Sequence, residues 1–341
     1  MSKTKTFAKE SISVLGAGSF GTALAIQAAR QGHPVKLWGR DGTAIRQMQD
    51  KRVNDYYLPA CAFPNNLKAV DSLELALSDA KDVLIVVPSH ALRDTLENAK
   101  PYLKEDARLT WATKGFELET GLLPHQVVDE VLSKDRIKAV MSGPTFAKEV
   151  GEGMPTLITV GSQNSEYAKL IASYLSDDNF RVYRTKDMIG VEVGAAVKNV
   201  IAIGAGISDG MGFGANARVA LINRGLVEMM RLGKELGAKR STFMGLAGMG
   251  DLVLTCTDNQ SRNRRMGLAL ASGKGITEAA KEIGQVVEGV KAAKAVWQMA
   301  QKLKIEMPIT EQIYKVIYEE MPPMQGGLNL MRRKLKKESA K

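Results

Sequence analysis

SISVLGAGSFGTALAIQAARQG, residues 11–32, is the stretch that decides the fold of the N-terminal half. Residues 11–16 form an apolar, β-branched run that predicts a strand, and residues 22–31 form an alanine-rich run that predicts a helix ending at Gly32. The turn between them, GAGSFG, matches the pattern GxGxxG. A strand before this pattern and a helix after it are the context in which the pattern indicates a dinucleotide-binding turn.

Each glycine of this turn has its own physical role. Gly16 permits the tight turn, Gly18 lets the backbone approach a pyrophosphate, and Gly21 allows the helix to pack closely on the strand. The helix N-terminus adds free N–H groups and the positive end of its dipole. A plain tight turn that binds nothing is the alternative.

The rest of the first half repeats this alternation of strand and helix. Residues 82–89, DVLIVVPS, form a continuous apolar run, which is typical of a strand buried on both faces. Alternating strands and helices predict an α/β Rossmann-like fold with a doubly wound, mostly parallel sheet. The remaining predicted strands are residues 34–40, 107–115, 137–143 and 156–162.

The sequence changes character after about residue 187. Alanine, glycine, leucine and methionine dominate there, which predicts an all-α C-terminal domain. We therefore predict a dinucleotide-binding Rossmann domain over residues 1–189 and a helical substrate-binding domain over residues 190–341. The predicted helices are residues 188–208, 216–237, 263–272, 276–283, 288–304 and 309–320.

The composition is that of a globular chain with a basic end. Of 341 residues, 45% are hydrophobic and 25% are charged, and the formal net charge is +10. The last eleven residues, MRRKLKKESAK, hold six positive charges and one negative charge, so much of the basicity lies in a tail from about residue 331. We interpret this tail as solvated and predict no nucleic-acid partner; contact with nucleic acid or a membrane surface is the alternative.

Targeting signals and cysteine usage favour the cytoplasm. No apolar run approaches the ~20 residues that span a membrane, and the N-terminus lacks the features of a secretory signal. Cys61 and Cys256 are the only cysteines, too few for a disulfide framework. We predict a cytoplasmic protein with no integral membrane segment.

The histidines and their surroundings predict no metal site. His33, His90 and His125 are far apart in the sequence, and no spacing of histidine, cysteine and carboxylate residues suits a metal. We interpret all three as structural. His90 follows the strand predicted over residues 82–89, so an approach to a cofactor is its alternative role.

The end of the second predicted strand bears on the choice of cofactor. Arg40 and Asp41 stand where an NAD site usually places an acidic residue against the ribose 2′-hydroxyl. Arg40 can pair with a 2′-phosphate, which slightly favours NADP, whereas Asp41 keeps NAD possible. An ordinary surface arginine is the alternative for Arg40.

Residues 193–210, VGAAVKNVIAIGAGISDG, form an apolar stretch with a lysine, Lys198, near its centre. On a helix this lysine has small or apolar neighbours three and four positions away. A buried ammonium must find a partner or lose its proton readily. Lys198 is therefore a candidate general acid, with a pKa lowered by burial or by a second cation. A lysine that reaches water along its stem is the alternative.

Further candidates follow predicted strands or begin a predicted helix. Lys114 and residues 143–147, GPTFA, follow strand-like runs, where open α/β sheets bind ligands. Ser261, Arg262 and Asn263 cluster at a predicted helix start. A guanidinium, a hydroxyl and backbone N–H groups together suit a phosphate. A capped helix with a solvated basic face is the alternative.

Six segments together resemble the bacterial NAD(P)-dependent sn-glycerol-3-phosphate dehydrogenase family, over about residues 11 to 320: GAGSFGTALA, WATKG, SGPTFAKE, VGAAVKNVIAIGAGISDG, GDLVLTCTDNQSRNRR and GQVVEG. The resemblance implies reversible hydride transfer from NAD(P)H to dihydroxyacetone phosphate. The product, sn-glycerol 3-phosphate, is the backbone precursor of glycerophospholipids. The resemblance also suggests a homodimer.

Matching motifs also imply roles for individual residues. Lys198 resembles the proton donor and acceptor at the substrate C2 oxygen, with Lys114 as a second cation and Asp251 orienting a substrate hydroxyl or Lys198. The implied substrate-site positions are Lys114, Gly143, Thr145, Lys198, Asp251, Ser261, Arg262 and Asn263. The implied cofactor-contact positions, beside the three motif glycines, are Ser19, Phe20, Arg40, Lys114, Ala147, Arg262, Val286 and Glu288.

Two other functions stay open at this point. A related two-domain hydroxyacid or ketopantoate-type reductase would share the domain order, although the cluster at residues 261–263 favours a phosphorylated substrate. A non-enzymatic nucleotide sensor that uses its basic tail is the second alternative.

Overall fold

The computed structural model describes residues 9–334 of the chain, and these residues form two units. The first unit comprises the chain up to Lys114 together with Leu122–Glu192. The second comprises Gly115–Gly121 together with the chain from Val193 onwards. Most of the basic tail predicted from about residue 331 lies outside the described residues.

The first unit is built on an eight-stranded sheet, and a separate two-stranded hairpin accompanies it. Neighbouring strands of the large sheet pair in parallel, except for one antiparallel pair, β8 with β9. The strand order is β10-β9-β8-β7-β6-β1-β2-β5, and β3 pairs with β4 in the hairpin. The strands are β1 (Ile12–Leu15), β2 (Val35–Trp38), β3 (Val53–Asn54), β4 (Leu58–Ala62), β5 (Leu67–Val70), β6 (Asp82–Ile85), β7 (Arg108–Trp111), β8 (Lys138–Ser142), β9 (Thr156–Gly161) and β10 (Phe180–Thr185).

The sheet reverses its direction of winding between β1 and β6. The chain continues from β1 to β2 and β5 on one side, and from β6 to β7 and β8 on the other. All residues of β1 and β6 are buried, as expected for central parallel strands covered on both faces. In such sheets the ligand crevice lies beyond the carboxyl ends of the strands at the reversal.

Seven α-helices of the first unit lie within residues 9–187. The longest, α1, begins directly after the glycine-rich turn and buries nine consecutive residues from Gly21 to Ala29. Its alanines allow this because their small side chains let α6 and α7, as well as the sheet, pack closely around the helix. The helices are α1 (Ser19–Arg30), α2 (Gly42–Lys51), α3 (Leu73–Leu77), α4 (Leu92–Ala99), α5 (Pro124–Val131), α6 (Ala147–Glu152) and α7 (Ser165–Leu175).

The Rossmann-like, mostly parallel sheet predicted from the sequence is confirmed. All six predicted strands are present, as β1, β2 and β6 to β9. The sequence analysis did not anticipate β5 or β10. The β10 sequence, FRVYRT, has three exposed side chains, because it forms the edge of the sheet and pairs on one side only.

The described part of the second unit is helical, and all six helices predicted after residue 187 are present. A one-turn π-helix, Leu246–Gly250, runs directly into one of the α-helices and was not predicted. The α-helices from residue 188 onwards are α8 (Met188–Gly210), α9 (Gly214–Glu235), α10 (Arg240–Phe243), α11 (Asp251–Thr257), α12 (Arg262–Ala271), α13 (Ile276–Ile283), α14 (Glu288–Lys302), α15 (Pro308–Tyr318) and α16 (Pro323–Met331).

Helix α8 is the central helix of this part of the chain, and glycines let its backbone touch two neighbours. A Cβ on Gly206 would lie 2.1 Å from the Arg264 carbonyl oxygen of α12, and one on Gly267 of α12 would lie 2.0 Å from the Ile203 carbonyl oxygen. A Cβ on Gly194 would lie 2.3 Å from the Ala247 carbonyl oxygen in the π-helix. Side chains at these glycines would push α12 and the π-helix away from α8.

By length and composition α8 is also long and apolar enough to cross a membrane, which sequence inspection had not anticipated. However, 94% of its most apolar window is buried inside the protein. That burial is typical of the core helix of a globular protein. No other helix within residues 9–334 meets the same criterion.

Candidate active site

In the first unit, the glycine-rich turn lies at the carboxyl end of β1 and is pressed against the end of β6. Gly16 has φ +121°, and a Cβ there would lie 2.3 Å from the Val86 carbonyl oxygen. A Cβ on Gly21 would lie 1.9 Å from the Gly16 carbonyl oxygen. Both positions therefore require glycine, for the turn and for close helix packing.

Gly18 is different, because a Cβ there would meet no atom within 4 Å. Space is open beside the backbone at this point, where α1 begins without a side-chain cap. Uncapped N–H groups beside open space suit the oxygens of a pyrophosphate. The turn thus fits the dinucleotide expected from its sequence, and Gly16, Gly18, Ser19 and Gly21 are the residues that would hold it.

Two other sequence-predicted residues meet beside this turn. The Lys114 Nζ atom lies 5.6 Å from the centroid of the Phe20 ring, which is a cation–π distance. Lys114 follows β7, and Phe20 is the second residue of α1. The parallel strands therefore bring these residues to the same edge of the sheet.

Gly143 and Thr145 follow β8. A Cβ on Gly143 would lie 3.1 Å from the Ile158 Cα atom, so a larger residue would displace β9. The Thr145 hydroxyl donates to the Gly143 carbonyl oxygen at 3.0 Å. Ala147 begins α6 and packs against the core of the unit. His90 is exposed in a short 3₁₀ turn after β6.

Arg40 and Asp41 follow β2 and have separate environments. Asp41 is the N-cap of α2, and its Oδ1 atom accepts from the backbone N–H groups of Thr43 and Ala44 at 3.0 and 3.1 Å. Arg40 is exposed, and no carboxylate within the described part of the chain pairs with it. The guanidinium is therefore available to an anionic ligand, whereas one oxygen of Asp41 is already committed to a helix cap.

In the second unit, Lys198 is buried, with only 4% of its surface exposed. Its Nζ atom makes a short ion pair with Asp251 Oδ1 and donates to the Thr255 hydroxyl at 3.2 Å. This burial rules out a lysine that reaches water along its stem. The two partners satisfy the buried charge, as a buried ammonium requires.

The π-helix positions the partners of Lys198. It ends at Gly250, so Asp251 opens α11 and Thr255 lies one turn further along the same helix. The Thr255 hydroxyl donates to the Asp251 carbonyl oxygen at 2.5 Å. Because α8 touches the π-helix at Gly194, the Asp251 carboxylate is held close to Lys198.

In the first turn of α12, some side chains are already bonded within the protein, whereas others remain available to a ligand. Ser261 is its N-cap, and the Ser261 Oγ atom accepts from the Arg264 N–H group at 3.2 Å. Arg264 is buried and bonds to Asp209 and to the Asn259 amide oxygen. Arg262 is half-buried, and no carboxylate within residues 9–334 pairs with it. Of the two guanidinium groups, that of Arg262 is therefore available to a phosphate.

The Asn263 amide joins three helices. It donates to the Asn199 amide oxygen at 2.9 Å, and its own oxygen accepts from the Gly289 N–H group at 2.8 Å. The Asn199 amide nitrogen is buried, and the described residues offer it no partner. Glu288 opens α14 beside this contact, and Val286 is 51% exposed in the preceding loop.

Comparison with known families covers both units. Residues 11–168 match the model of the NAD-dependent glycerol-3-phosphate dehydrogenase N-terminus, and residues 187–326 match that of its C-terminus. The chain belongs to the NAD-dependent glycerol-3-phosphate dehydrogenase family. A protein of Edwardsiella ictaluri named glycerol-3-phosphate dehydrogenase [NAD(P)+] is 55% identical over 97% of this chain and 98% of its own length.

Solved structures agree with this membership. The crystal structure of glycerol-3-phosphate dehydrogenase from Coxiella burnetii superposes with a TM-score of 0.93 and 46% identity, covering 95% of this chain and 99% of that one. A PanE/ApbA family ketopantoate reductase from Ralstonia eutropha is 16% identical with a TM-score of 0.58, over 93% of this chain and 99% of its own. The latter likeness shows a shared fold alone.

Sequence reasoning missed three features of the candidate site and one buried cluster elsewhere. These are the Thr255 and Asn199 contacts, the structural role of Arg264, and a buried cluster in the first unit around Glu192. A threonine four residues after Asp251 was a usable signal, because positions i and i+4 share one helix face. The separate roles of Arg262 and Arg264 had no local signal, because the sequence does not show which side of α12 packs against the rest of its unit.

The cluster around Glu192 lies within the first unit. Glu192 accepts from the Trp111 indole N–H group at 3.0 Å and from the His125 backbone N–H group at 2.8 Å, and it pairs with the His125 imidazole. Burial disfavours the imidazolium, but the hydrogen bond and charge of Glu192 outweigh it and raise the pKa of His125 above its usual range. His125 thus has the structural role assigned to it from the sequence.

Proposed function

We propose that this chain interconverts dihydroxyacetone phosphate and sn-glycerol 3-phosphate, with Lys198 as general acid and base. The observation that carries the proposal is a buried ammonium, held by Asp251 and Thr255, on a helix that is otherwise apolar around it. The name shared by relatives about 55% identical over nearly the whole chain supports the same reaction. The nicotinamide of a bound cofactor supplies or accepts the hydride at C2.

Lys198 acts on the oxygen at C2. Reduction turns a carbonyl oxygen into an alkoxide, and an ammonium within hydrogen-bond reach neutralises it by donating a proton. Asp251 compensates the buried charge and, with Thr255, restricts the ammonium to one position. In the reverse direction the neutral amine accepts the proton of the alcohol.

Arg262 and Ser261 bind the substrate phosphate at the start of α12. The guanidinium supplies a charged fork, the serine hydroxyl still has its proton to donate, and the helix N-terminus adds N–H groups. Asn263 acts on this site indirectly, because both ends of its amide are already bonded within the protein. A phosphate held away from the reacting carbon orients that carbon and supplies binding energy.

The family resemblance implies a second set of substrate and cofactor contacts, which we carry over to the matching residues. Lys114 lies over the Phe20 ring, and its positive charge stabilises the negative charge that develops on the substrate. Gly143 and Thr145 shape the end of β8 for the substrate, and Ala147 contacts the cofactor. Val286 and Glu288 are the remaining cofactor contacts that the resemblance implies.

The cofactor is NADP in preference to NAD. Arg40 is exposed and has no carboxylate partner within the described residues, and an unpaired guanidinium can bind a 2′-phosphate. The Asp41 carboxylate is occupied in capping α2, which weakens its competition for the ribose 2′-hydroxyl. The balance between these two neighbouring residues supports the preference.

The working form is a cytoplasmic homodimer that supplies glycerophospholipid synthesis. Both cysteines are buried and unpaired, which fits a reducing compartment. The homodimer is carried over from the family resemblance, and light scattering on the purified chain tests it.

The phosphate site is tested by comparing two substrates. We expect dihydroxyacetone phosphate to be reduced far more efficiently than unphosphorylated dihydroxyacetone. Arg262→Ala should lower kcat/KM for the phosphorylated substrate by roughly 10–100-fold, the scale of one charged hydrogen-bonding group. Arg265→Ala, an exposed arginine three residues along the same helix, is the matched control and should leave kcat/KM nearly unchanged. Equal efficiency on the two substrates would contradict the phosphate site.

The cofactor preference is tested with Arg40→Ala. Loss of a guanidinium facing the 2′-phosphate should raise KM for NADPH by roughly 10–100-fold and leave KM for NADH within about twofold. Lys51→Ala, which removes an exposed cation at the other end of α2, is the control. Parallel changes for both cofactors would show that Arg40 does not read the phosphate.

A further inference from the structure

Helix α16 presents an apolar stripe to solvent. Met324, Leu328 and Met331 are 40%, 40% and 85% exposed. At 3.6 residues per turn, these three positions fall within an arc of about 60° on one side of the helix. An apolar surface of this kind is common at sites that bind a partner or a membrane.

The opposite side of α16 makes its packing contacts. Gly326 is buried, and a Cβ there would lie 3.2 Å from the Met321 Cε atom. The Asn329 amide donates to the Gln312 amide oxygen of α15 at 2.8 Å. The helix thus has packing contacts on this side, while Met331 and a part of Met324 and Leu328 remain exposed on the other.

Positive charge follows the stripe directly. Arg332, Arg333 and Lys334 come after the last helical residue and are exposed. Arg333 pairs with Glu306, whereas no carboxylate in the described part of the chain pairs with Arg332 or Lys334. Beyond the described residues the sequence adds Lys336, Lys337 and Lys341 against one acidic residue, Glu338.

We propose that α16, with Arg332 and Lys334 directly after it, docks this protein reversibly on an anionic membrane surface. Apolar side chains beside clustered cations are the two signals that together anchor a protein in the headgroup region. A nucleic acid would use the cations but leave the stripe in water. A second copy seated symmetrically on the stripe would bring two basic tails together. This docking is separate from the proposed reaction, because α16 contains none of the candidate site residues.

Flotation of the full chain with lipid vesicles tests the proposal. We expect binding to vesicles that contain about 30% phosphatidylglycerol in phosphatidylcholine, and at least roughly tenfold weaker binding to pure phosphatidylcholine. Raising the salt to about 0.5 M should weaken the binding, because screening acts on the cations.

Paired variants separate the two signals. Leu328→Ser with Met331→Ser should lower the partition coefficient at least roughly tenfold. Met244→Ser, which changes a methionine that is 55% exposed elsewhere in the second unit, should not. Turnover measured on each variant checks that it is folded and should stay near the wild-type rate.

The charge signal has its own matched pair. Arg332→Gln with Lys334→Gln should weaken binding to the anionic vesicles at least roughly tenfold. Arg240→Gln with Lys302→Gln removes the same charge from exposed positions on other helices and should leave binding close to wild type.

Three results would overturn the proposal. The first is equal binding to neutral and anionic vesicles, or none. The second is binding that the stripe variant does not weaken while heparin or RNA competes, which would indicate a polyanion site. The third is conversion of a dimer to a monomer by the stripe variant without vesicle binding by the wild type, which would make the stripe a self-interface.

Discussion

Lys198→Met should destabilise the protein as well as inactivate it. The substitution removes the ammonium from a pair whose lysine and aspartate side chains are only 6% and 2% exposed. The Asp251 carboxylate then stays buried without its counter-charge, which typically costs about 3–5 kcal/mol. The Thr255 hydroxyl lies 3.3 Å from Asp251 Oδ1 and can turn its proton from the Asp251 carbonyl oxygen to this carboxylate, which offsets part of the cost, so we expect a loss of about 3 kcal/mol.

Adding Asp251→Asn to this variant removes the buried carboxylate charge that has no counter-ion and keeps the shape of the side chain. We expect the double variant to recover about 2 kcal/mol of the free energy of unfolding, while kcat stays roughly 10²–10⁴-fold below wild type because no proton donor is restored. Urea unfolding followed by tryptophan fluorescence gives the first quantity, and initial rates of NADPH oxidation with dihydroxyacetone phosphate give the second. Lys302→Met, at an exposed position of α14, is the control and should stay within about 0.5 kcal/mol.

These measurements distinguish two roles of Lys198, which are to neutralise the buried Asp251 carboxylate and to transfer a proton to the substrate. If Lys198→Met unfolds at the wild-type urea concentration, Asp251 does not depend on the ammonium and the argument from burial is wrong. If neutralising Asp251 restores turnover, the lysine was needed for stability and not for proton transfer. Both roles are supported only if Lys198→Met loses stability and turnover, and the double variant regains the stability but not the turnover.

Three further predictions concern stability. Burial raises the pKa of Glu228 to about 7, so between about pH 4.5 and 7 the folded protein retains a proton that the unfolded chain has released. We therefore expect the free energy of unfolding to fall by ~3 kcal/mol as pH rises from about 4.5 to 7. Urea unfolding across that range should show this fall in wild type but not in Glu228→Gln. Gly206→Ala should lower the free energy of unfolding by about 1–3 kcal/mol or more, because its Cβ would lie 2.1 Å from the Arg264 carbonyl oxygen. Gly275→Ala, whose Cβ would meet nothing within 4 Å, is the control and should lower it by under about 1 kcal/mol. Equal midpoints of the two variants in thermal unfolding would contradict this. Asp41→Ala should lose about 1 kcal/mol as its cap of α2 disappears, and an unchanged midpoint would mean that the cap contributes nothing.

Sequence reasoning succeeded where the relevant physics is local. The strands β1 and β6 are short apolar runs, and α1 is an alanine-rich run beginning at a glycine-rich turn, so composition and spacing alone predict them. Reasoning from local pattern missed β10, because an edge strand exposes charged side chains and loses the apolar signature of a central strand. It did not specify that β9 runs antiparallel to β8, since strand direction depends on where the chain crosses the sheet.

The sequence by itself determined the glycine-rich turn, the apolar helix around Lys198 and the polar cluster at the start of α12, because each is a run of neighbouring residues with its own conformational preference. Only the tertiary structure decided which groups are available for chemistry. It paired Lys198 with Asp251 across 53 positions of sequence, and it buried Arg264 against Asp209 while leaving Arg262 without a carboxylate partner among the described residues. A side chain's partner depends on which backbones approach each other, and here glycine contacts between α8, the π-helix and α12 set that approach.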